Sequence, residues 1–177
     1  MRRQKKLAQN LKRLANTGSL MVDVHDYVSR HKNMSAIKGK NTKPEIVLRK
    51  YLHRRGYRFR LHRKDLPGSP DIVMPKFKLV IFVNGCFWHR HFDCKYTTTP
   101  ATRKTFWSKK FKQNQTRDIR NQLALLNNGW RILVVWECGL KHSLSNFSEL
   151  DSMIKCNSKF KSWPSVPPRL QAERTRN

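Results

Sequence analysis

The sequence predicts an α/β protein in which a mixed β-sheet is flanked by helices. Segments with helical periodicity alternate along the chain with short β-branched runs, and this alternation is typical of a layered α/β domain. Of the 177 residues, 38% are hydrophobic, which is enough for one genuine core. We therefore expect a single folded domain at residues 22–157, with a tail on each side.

The first 21 residues form a basic N-terminal arm. Residues 1–20 carry six basic side chains and no acidic one, so we predict disorder in the free protein, or else a marginal helix that orders on a polyanion. The arm lacks the apolar segment of a secretory signal, and no apolar run of about 18 residues could span a bilayer. We expect a soluble, cytosolic protein.

A helix and three strands are predicted to follow. The stretch "TKPEIVLRKYLHRRG" begins with Thr42 as a cap, has Pro44 in its first turn and stops at Gly56. "YRFRLH" alternates as a half-buried strand does, and a turn leads from it to a hairpin of "DIVM" and the buried run "LVIFV". Asp71 thus opens one strand, and the next strand ends at an unusual loop.

The second half of the domain is predicted to contain a long helix and one more strand. Residues 102–129 have Phe111, Ile119, Leu123 and Leu126 at helical spacings. Gly129 stops this helix, and the strand "WRILVVW" follows. Three prolines in "KSWPSVPPRLQAERTRN" predict that residues 158–177 form an irregular basic tail.

The charge of the chain points to a polyanionic partner. Lys and Arg number 38 against 11 Asp and Glu, so the formal net charge is +27. Nucleic acid is the first expectation, and an anionic membrane surface is the second.

The loop "NGCFWHRHFDC" concentrates metal-binding side chains. Cys86, His91 and Cys94 offer two sulfurs and one imidazole, and a tetrahedral zinc needs one more ligand. Cys138 is the candidate, because it follows "WRILVVW" and would lie nearby if that strand shares a sheet with "LVIFV". Such a zinc would be structural. The alternative is a group of unligated buried cysteines, and Cys156 stands apart from it.

Four further side chains could take part in chemistry. His89 could accept a proton from water, or could be a solvated loop histidine. Asp71 could hold Mg²⁺ at a strand end, although Pro-Asp is also a common turn. Asp118 could orient a histidine or could be a surface carboxylate, and Glu45 could simply favour the helix dipole.

Five stretches together resemble the very short patch repair endonucleases, which nick DNA at T:G mismatches arising from deamination of 5-methylcytosine. The resemblance covers about residues 22–141 in unbroken order. The stretches are "VDVHDYVSRHKNMSAIKGKNTKPE", "LPGSPDIVM", "VIFVNGCFWHRHFDC", "PATRKTFWSKKFKQNQTRD" and "GWRILVVWEC".

This resemblance implies a restriction-endonuclease-like fold and an active site. Asp71 would bind Mg²⁺ with the backbone carbonyl of Val83, and Glu45 would lie in the outer shell of the metal. His89 would be the general base, oriented by Asp118. The reaction would be attack of water on phosphorus, leaving 3′-hydroxyl and 5′-phosphate ends.

The resemblance also implies the zinc ligands, and it shows one departure in the active site. Cys86, His91, Cys94 and Cys138 would bind the structural zinc. Asn84 stands where the family often has histidine, so any catalytic contribution from that side chain is weakened or changed here.

DNA contacts are implied in two regions. Aromatic side chains would intercalate beside the mismatch, and an N-terminal helix would lie along the minor groove, with basic residues meeting phosphates. The side chains are Phe87, Trp88 and Trp107 for the intercalating platform, Met34 as a wedge, and Lys32 and Lys38 for phosphates.

The expected partner is double-stranded DNA with a T:G mismatch. A cytosine-5 DNA methyltransferase and mismatch-repair proteins are expected as functional associates. We expect the protein to act as a monomer at the bacterial nucleoid, and we expect no membrane partner. Two alternatives remain at this point: a restriction-type endonuclease without mismatch preference, and a non-catalytic zinc-stabilised DNA-binding module.

Overall fold

A computed structural model describes residues 39–142 and 147–168. Helix α1 spans Lys43–Arg54, and strands β1, β2 and β3 span Arg60–Leu61, Ile72–Met74 and Leu79–Asn84. The short helix α2 covers Cys86–His89, and the long helix α3 covers Lys104–Asn127. Strand β4 at Arg131–Trp136 leads into α4 at Glu137–His142, and α5 at Ser148–Lys155 precedes β5 at Phe160–Trp163.

The five strands form one mixed sheet in the order β1-β2-β3-β4-β5. The first three are antiparallel neighbours, whereas β3, β4 and β5 run parallel to one another. The prediction of a mixed sheet flanked by helices is therefore confirmed. The first strand is shorter than "YRFRLH" suggested, because only two of its residues pair with β2.

Both faces of the sheet are covered by helices. Leu79 and Ile81 point to the face that α1, α4 and α5 cover, while Val80 points to the face where Leu125 of α3 packs. This alternation follows from the two-residue period of a strand. Within α3, Ile119 and Leu123 are exposed in spite of their helical spacing.

The boundaries of α1 follow from local signals. The Thr42 side chain accepts a hydrogen bond from the Glu45 N–H, and the Glu45 carboxylate accepts from the Thr42 N–H. This reciprocal capping box satisfies two donors that the first turn would otherwise leave unpaired. Helix α1 ends before Gly56, whose φ of +78° suits glycine.

The C-terminal stretch corrects one prediction. Residues 158–177 were expected to be irregular, but Phe160–Trp163 forms β5 and pairs with β4 in parallel register. Trp163 is buried, and its indole N–H donates to Glu149 at 3.0 Å. The sheet therefore extends beyond residue 157, because one buried tryptophan and the open edge of β4 outweigh the neighbouring prolines.

Among the residues that the structure describes, no helix is both long and apolar enough to cross a membrane.

Candidate active site and zinc centre

The site lies where two parallel strands end together. In the register of β3 and β4, Asn84 faces Trp136, so the following residues leave the sheet at the same edge. Helix α2 begins at Cys86, with Gly85 between it and Asn84, and α4 begins directly after Trp136. This shared edge brings Cys86 and Cys138 together although they are far apart in sequence.

Cys86, His91, Cys94 and Cys138 form a buried cluster whose ligand atoms lie within 4.8 Å of one another. His91 Nδ1 is 3.7 Å from the Cys86 sulfur and 3.4 Å from the Cys138 sulfur. Donor atoms around a tetrahedral zinc stand roughly 3.5 to 3.8 Å apart. The three sulfurs and one imidazole therefore fit a structural zinc ion.

The surroundings of this cluster hold its ligands in place. The His91 ring stacks on Trp136 with ring centroids 4.1 Å apart, and the Thr97 hydroxyl donates to the His91 carbonyl at 2.7 Å. Hydrogen bonding to Cys138 and burial raise the pKa of Cys86, and burial raises the pKa of Cys94. A bound cation would reverse this preference for thiols and favour thiolates.

His89 and Asp118 form the second element of the site. His89 Nδ1 lies 2.5 Å from Asp118 Oδ2, so helix α3 holds the ring at the end of α2. Asn114, one turn earlier on α3, donates to the Trp88 carbonyl at 3.2 Å. The other ring nitrogen of His89, Nε2, is the one that this arrangement leaves for a substrate or a water molecule.

Glu45, His62 and Asp71 form the third element. Each offers one potential ligand atom, and these atoms lie within 4.8 Å of one another. Asp71 Oδ2 accepts a hydrogen bond from the Val83 N–H at 2.8 Å, which ties the start of β2 to β3. Two carboxylates suit a hard divalent cation such as Mg²⁺, and Asp71 retains Oδ1 for one.

The electrostatics of Asp71 connect these groups. Burial raises the pKa of Asp71 to about 6, the Val83 N–H and the positive charges of Arg49 and His89 oppose the rise, and Glu45 adds to it. His89 thus lies within electrostatic range of the Asp71 carboxylate. A cation bound beside Asp71 would stabilise the ionised carboxylate and lower this raised pKa.

Neither His62 nor Arg49 was among the residues predicted from the sequence to lie in the site. The Arg49 guanidinium forms an ion pair with Glu45, and its Nη2 lies 2.9 Å from His62 Nε2. The signal that could have located His62 was the turn between "YRFRLH" and "DIVM", which allows these two strands to pair, and the observed register places His62 opposite Asp71. Burial and Arg49 lower the pKa of His62.

The three aromatic residues expected to contact DNA pack against one another between α2 and α3. Phe87 lies edge-on to both Trp88 and Trp107, with centroids 5.1 and 5.4 Å away, and Phe111 closes the group. Phe87 and Trp88 are half-buried, but only 7% of Trp107 is exposed. The loop aromatics are therefore neighbours, as expected, in a cluster that includes a buried member.

The remaining predicted site residues have simpler outcomes. Asn84 is buried at the end of β3. Met34, Lys32 and Lys38 lie outside the residues that the structure describes.

Comparisons with known proteins identify the family of this chain. The family model described as DNA mismatch endonuclease Vsr matches residues 22–96. The type II nicking enzyme V.XorIIP of Xanthomonas oryzae is 48% identical over 122 residues, which cover 69% of this chain and 86% of that protein. DNA mismatch endonuclease Vsr of Escherichia coli is 46% identical over 121 residues, which cover 68% of this chain and 77% of that protein.

The chain belongs to the Vsr endonuclease family. A third member, the nicking enzyme V.NmeAIP of Neisseria meningitidis, is 38% identical over 135 residues, 76% of this chain and 96% of that protein. Membership of the Vsr family confirms the resemblance of the motifs, and DNA is the substrate class of this family. The non-catalytic binding module is correspondingly disfavoured.

Proposed function

We propose that this protein nicks one DNA strand next to the T of a T:G mismatch arising from 5-methylcytosine deamination, and so initiates very short patch repair. The observation that carries the proposal is the His89–Asp118 pair, 2.5 Å apart, in a Vsr-family chain whose Asp71 carboxylate is hydrogen-bonded to Val83, six residues before His89. A base and a carboxylate at one strand edge suit hydrolysis of a phosphodiester.

In this proposal His89 takes the proton from the attacking water. Asp118 accepts the hydrogen bond from His89 Nδ1, which leaves Nε2 as the basic nitrogen and stabilises the imidazolium that forms. Water then attacks phosphorus in line with the leaving 3′ oxygen, giving 3′-hydroxyl and 5′-phosphate ends. The neighbouring Glu45 keeps the region negative enough to bind a cation.

Mg²⁺ is the proposed catalytic cation. Asp71 and the backbone carbonyl of Val83 would hold it, with Glu45 in its outer shell, and when bound it would neutralise charge that develops on the phosphate. The donor set supports this assignment, because two carboxylates with one free oxygen at Asp71 match the oxygen preference of Mg²⁺. Asn84 would contribute less to the leaving group than a histidine there.

Zn²⁺ is the proposed ion of the cysteine cluster, in a structural role. All four ligands come from protein side chains, so no position remains for a substrate. We further propose that the fold is restriction-endonuclease-like. The three antiparallel strands that carry Asp71, followed by a parallel β4, support this assignment.

The aromatic cluster is the proposed platform for mismatch recognition. Inserting a side chain between base pairs costs a few kcal/mol of unstacking, and the cost is lowest where pairing is already weak. Phe87 and Trp88 are half-buried and Trp107 is buried, so stacking on bases would require less rearrangement of Phe87 and Trp88 than of Trp107. Met34, Lys32 and Lys38 are proposed to contact the opposite groove and its phosphates.

The proposed substrate defines the expected biological associates. A T:G pair of this origin exists only where a cytosine-5 DNA methyltransferase has acted, so we propose a functional association with such an enzyme and with mismatch-repair proteins at the bacterial nucleoid. One chain supplies the base and both carboxylates, which supports action as a monomer.

The test compares nicking of T:G and T:A duplexes of one sequence, with Mg²⁺ and with EDTA. We expect nicking of the T:G duplex with Mg²⁺, and at least about a hundredfold loss for His89→Ala or Asp71→Asn with DNA binding retained. His53→Ala and Asp65→Asn are matched controls, because both residues are exposed. Equal cleavage of both duplexes would support the restriction-type alternative, and active variants would remove the site assignment.

A further inference from the structure

His62 lies between the two carboxylates of the candidate Mg²⁺ site. Its Nδ1 is 3.9 Å from Asp71 Oδ1, and its Nε2 is 3.6 Å from Glu45 Oε2. The side chain is mostly buried, with 15% exposed. Each ring nitrogen therefore lies within 3.9 Å of a carboxylate oxygen.

A backbone hydrogen bond places the His62 ring close to Asp71. His62 follows β1 and donates its N–H to the Asp71 carbonyl at 3.4 Å, which continues the β1–β2 ladder by one residue. Its φ is +46°, in the left-handed region that residues with a side chain rarely adopt. Such strain often accompanies a functional requirement on the side chain.

Arg49 occupies the cation position beside His62. Its Nη2 contacts Glu45 Oε2 and lies 2.9 Å from His62 Nε2, so the imidazole directs a lone pair at a positive charge. The guanidinium is incompletely satisfied there, because its buried Nε has no hydrogen-bond partner among the described residues. A divalent cation at this site would compete with Arg49 for His62 Nε2 and for the negative charge of Glu45.

We propose that His62 is a further direct protein ligand, beside Asp71 and the Val83 carbonyl, of the divalent cation at this site, with Glu45 in its outer shell, and that the cation displaces the Arg49 guanidinium. The proposal deepens the proposed function and rests on its metal site. An imidazole beside carboxylates raises the affinity for Mn²⁺ and Co²⁺ more than for Mg²⁺, because Mg²⁺ strongly prefers oxygen ligands. The site should therefore prefer Mn²⁺ and Co²⁺ to Mg²⁺.

The rival role for His62 is a hydrogen-bond acceptor that only positions Arg49. In that case replacing the imidazole by an amide would leave the ratio of Mn²⁺ to Mg²⁺ affinity unchanged. His62→Gln distinguishes the two roles, because glutamine retains an acceptor oxygen that Mg²⁺ accepts but removes the nitrogen ligand.

The experiment measures Mn²⁺ and Mg²⁺ binding to the zinc-loaded full chain, by electron paramagnetic resonance of free Mn²⁺ and by calorimetry. We expect His62→Gln to weaken Mn²⁺ binding by about tenfold and Mg²⁺ binding by less than about threefold. His53→Gln is the matched control. Arg49→Met should strengthen binding of both ions, because the competing charge is gone.

A measurement on the unaltered protein covers the case in which His62→Gln fails to fold. Bound Mn²⁺ should show hyperfine coupling to one imidazole ¹⁴N, and Asp71→Asn should abolish both the binding and the coupling. Loss of binding in Asp71→Asn, with no ¹⁴N coupling in the unaltered protein or an unchanged ion preference in His62→Gln, would overturn the His62 ligand and leave the proposed function standing. Undiminished Mn²⁺ binding in Asp71→Asn would instead refute the metal site of the proposed function, and the His62 ligand with it.

Discussion

At the scale of single residues, the polar groups of this protein are stabilised in pairs and triads that span its layers. Asp118 on α3 holds the ring of His89 on α2, and the Glu45 carboxylate both caps α1 and pairs with Arg49. Each carboxylate thereby has a partner that offsets the cost of its burial. In the proposed function, the same few side chains serve both activity and stability.

Asp151 shows this most clearly outside the candidate site. The carboxylate is buried and accepts hydrogen bonds from Tyr57 at 2.9 Å, Tyr51 at 3.0 Å and Arg55 at 2.8 Å. Burial tends to raise the pKa of Asp151, but these hydrogen bonds outweigh burial, and the pKa is lowered. It links α5 to α1 and to the segment after α1.

We predict that Asp151→Asn lowers the free energy of unfolding by about 1–3 kcal/mol at pH 7. A lowered folded pKa contributes stability above the unfolded pKa of about 3.9, and this stability is lost as the pH falls through the folded value. The difference between the two proteins should therefore shrink below about pH 4. Urea unfolding at pH 7 and pH 3.5 measures it, with exposed Asp65→Asn as control. A difference that does not depend on pH would argue against the ionised carboxylate as its source.

At the scale of elements, the cluster of three cysteines and one histidine joins the segment that follows β3 to the segment that follows β4. Cys86 begins α2, His91 and Cys94 lie in the loop behind it, and Cys138 belongs to α4. Glu137 adds a metal-independent link, because its carboxylate accepts the Cys86 N–H at 2.9 Å. The loop that carries His89 is thus held at both its start and its end.

We predict that the protein holds one zinc ion and that Cys138→Ser loses it. Losing a ligand of a structural zinc removes folding free energy of several kcal/mol, so the melting temperature should fall by roughly 10 °C. Cys156→Ser should retain both the zinc and the stability, because Cys156 lies outside the cluster. Metal analysis and thermal unfolding provide the measurement. Folded protein without zinc would contradict the prediction.

At the scale of the whole molecule, the net charge of +27 and the aromatic cluster have separate consequences. Contacts between basic side chains and phosphates are the same for every sequence, so they supply general affinity and salt dependence. Stacking of aromatic side chains beside a weak base pair depends on the mismatch. The general affinity for DNA and the preference for a T:G over a T:A duplex should therefore respond to different changes in salt concentration or side chains.

We predict that raising the salt concentration from 50 to 200 mM weakens binding of T:G and T:A duplexes by the same factor, about a thousandfold or more. Trp88→Ala should instead reduce the ratio of T:G affinity to T:A affinity, because stacking contributes about 1–3 kcal/mol per base. The salt dependence of binding should stay unchanged in this variant. Fluorescence binding to both duplexes over a salt series decides this. Equal losses for both duplexes in Trp88→Ala would mean that the cluster is a core or a nonspecific surface.

Local signals in the sequence were sufficient for the elements that are stabilised locally. The cap at Thr42, the stop at Gly56 and the β-branched run of β3 identified their helix and strand because such signals act within one turn or one strand. The same holds for the cysteine and histidine spacing of the zinc loop. Strand β5, in contrast, was not predicted, because the prolines after Trp163 indicated an irregular tail. An edge strand depends on pairing with a partner strand more than on its own composition.

The sequence by itself determined the family motifs, the metal-binding residue types and the excess of positive charge. Only the tertiary structure decided which of these groups meet. His62 reaches Glu45 and Asp71 through the β1–β2 register and the packing of α1, and Trp107 is buried because α2 and α3 pack together. Contacts between residues distant in sequence depend on how layers pack against a common sheet, and that packing is a property of the whole chain.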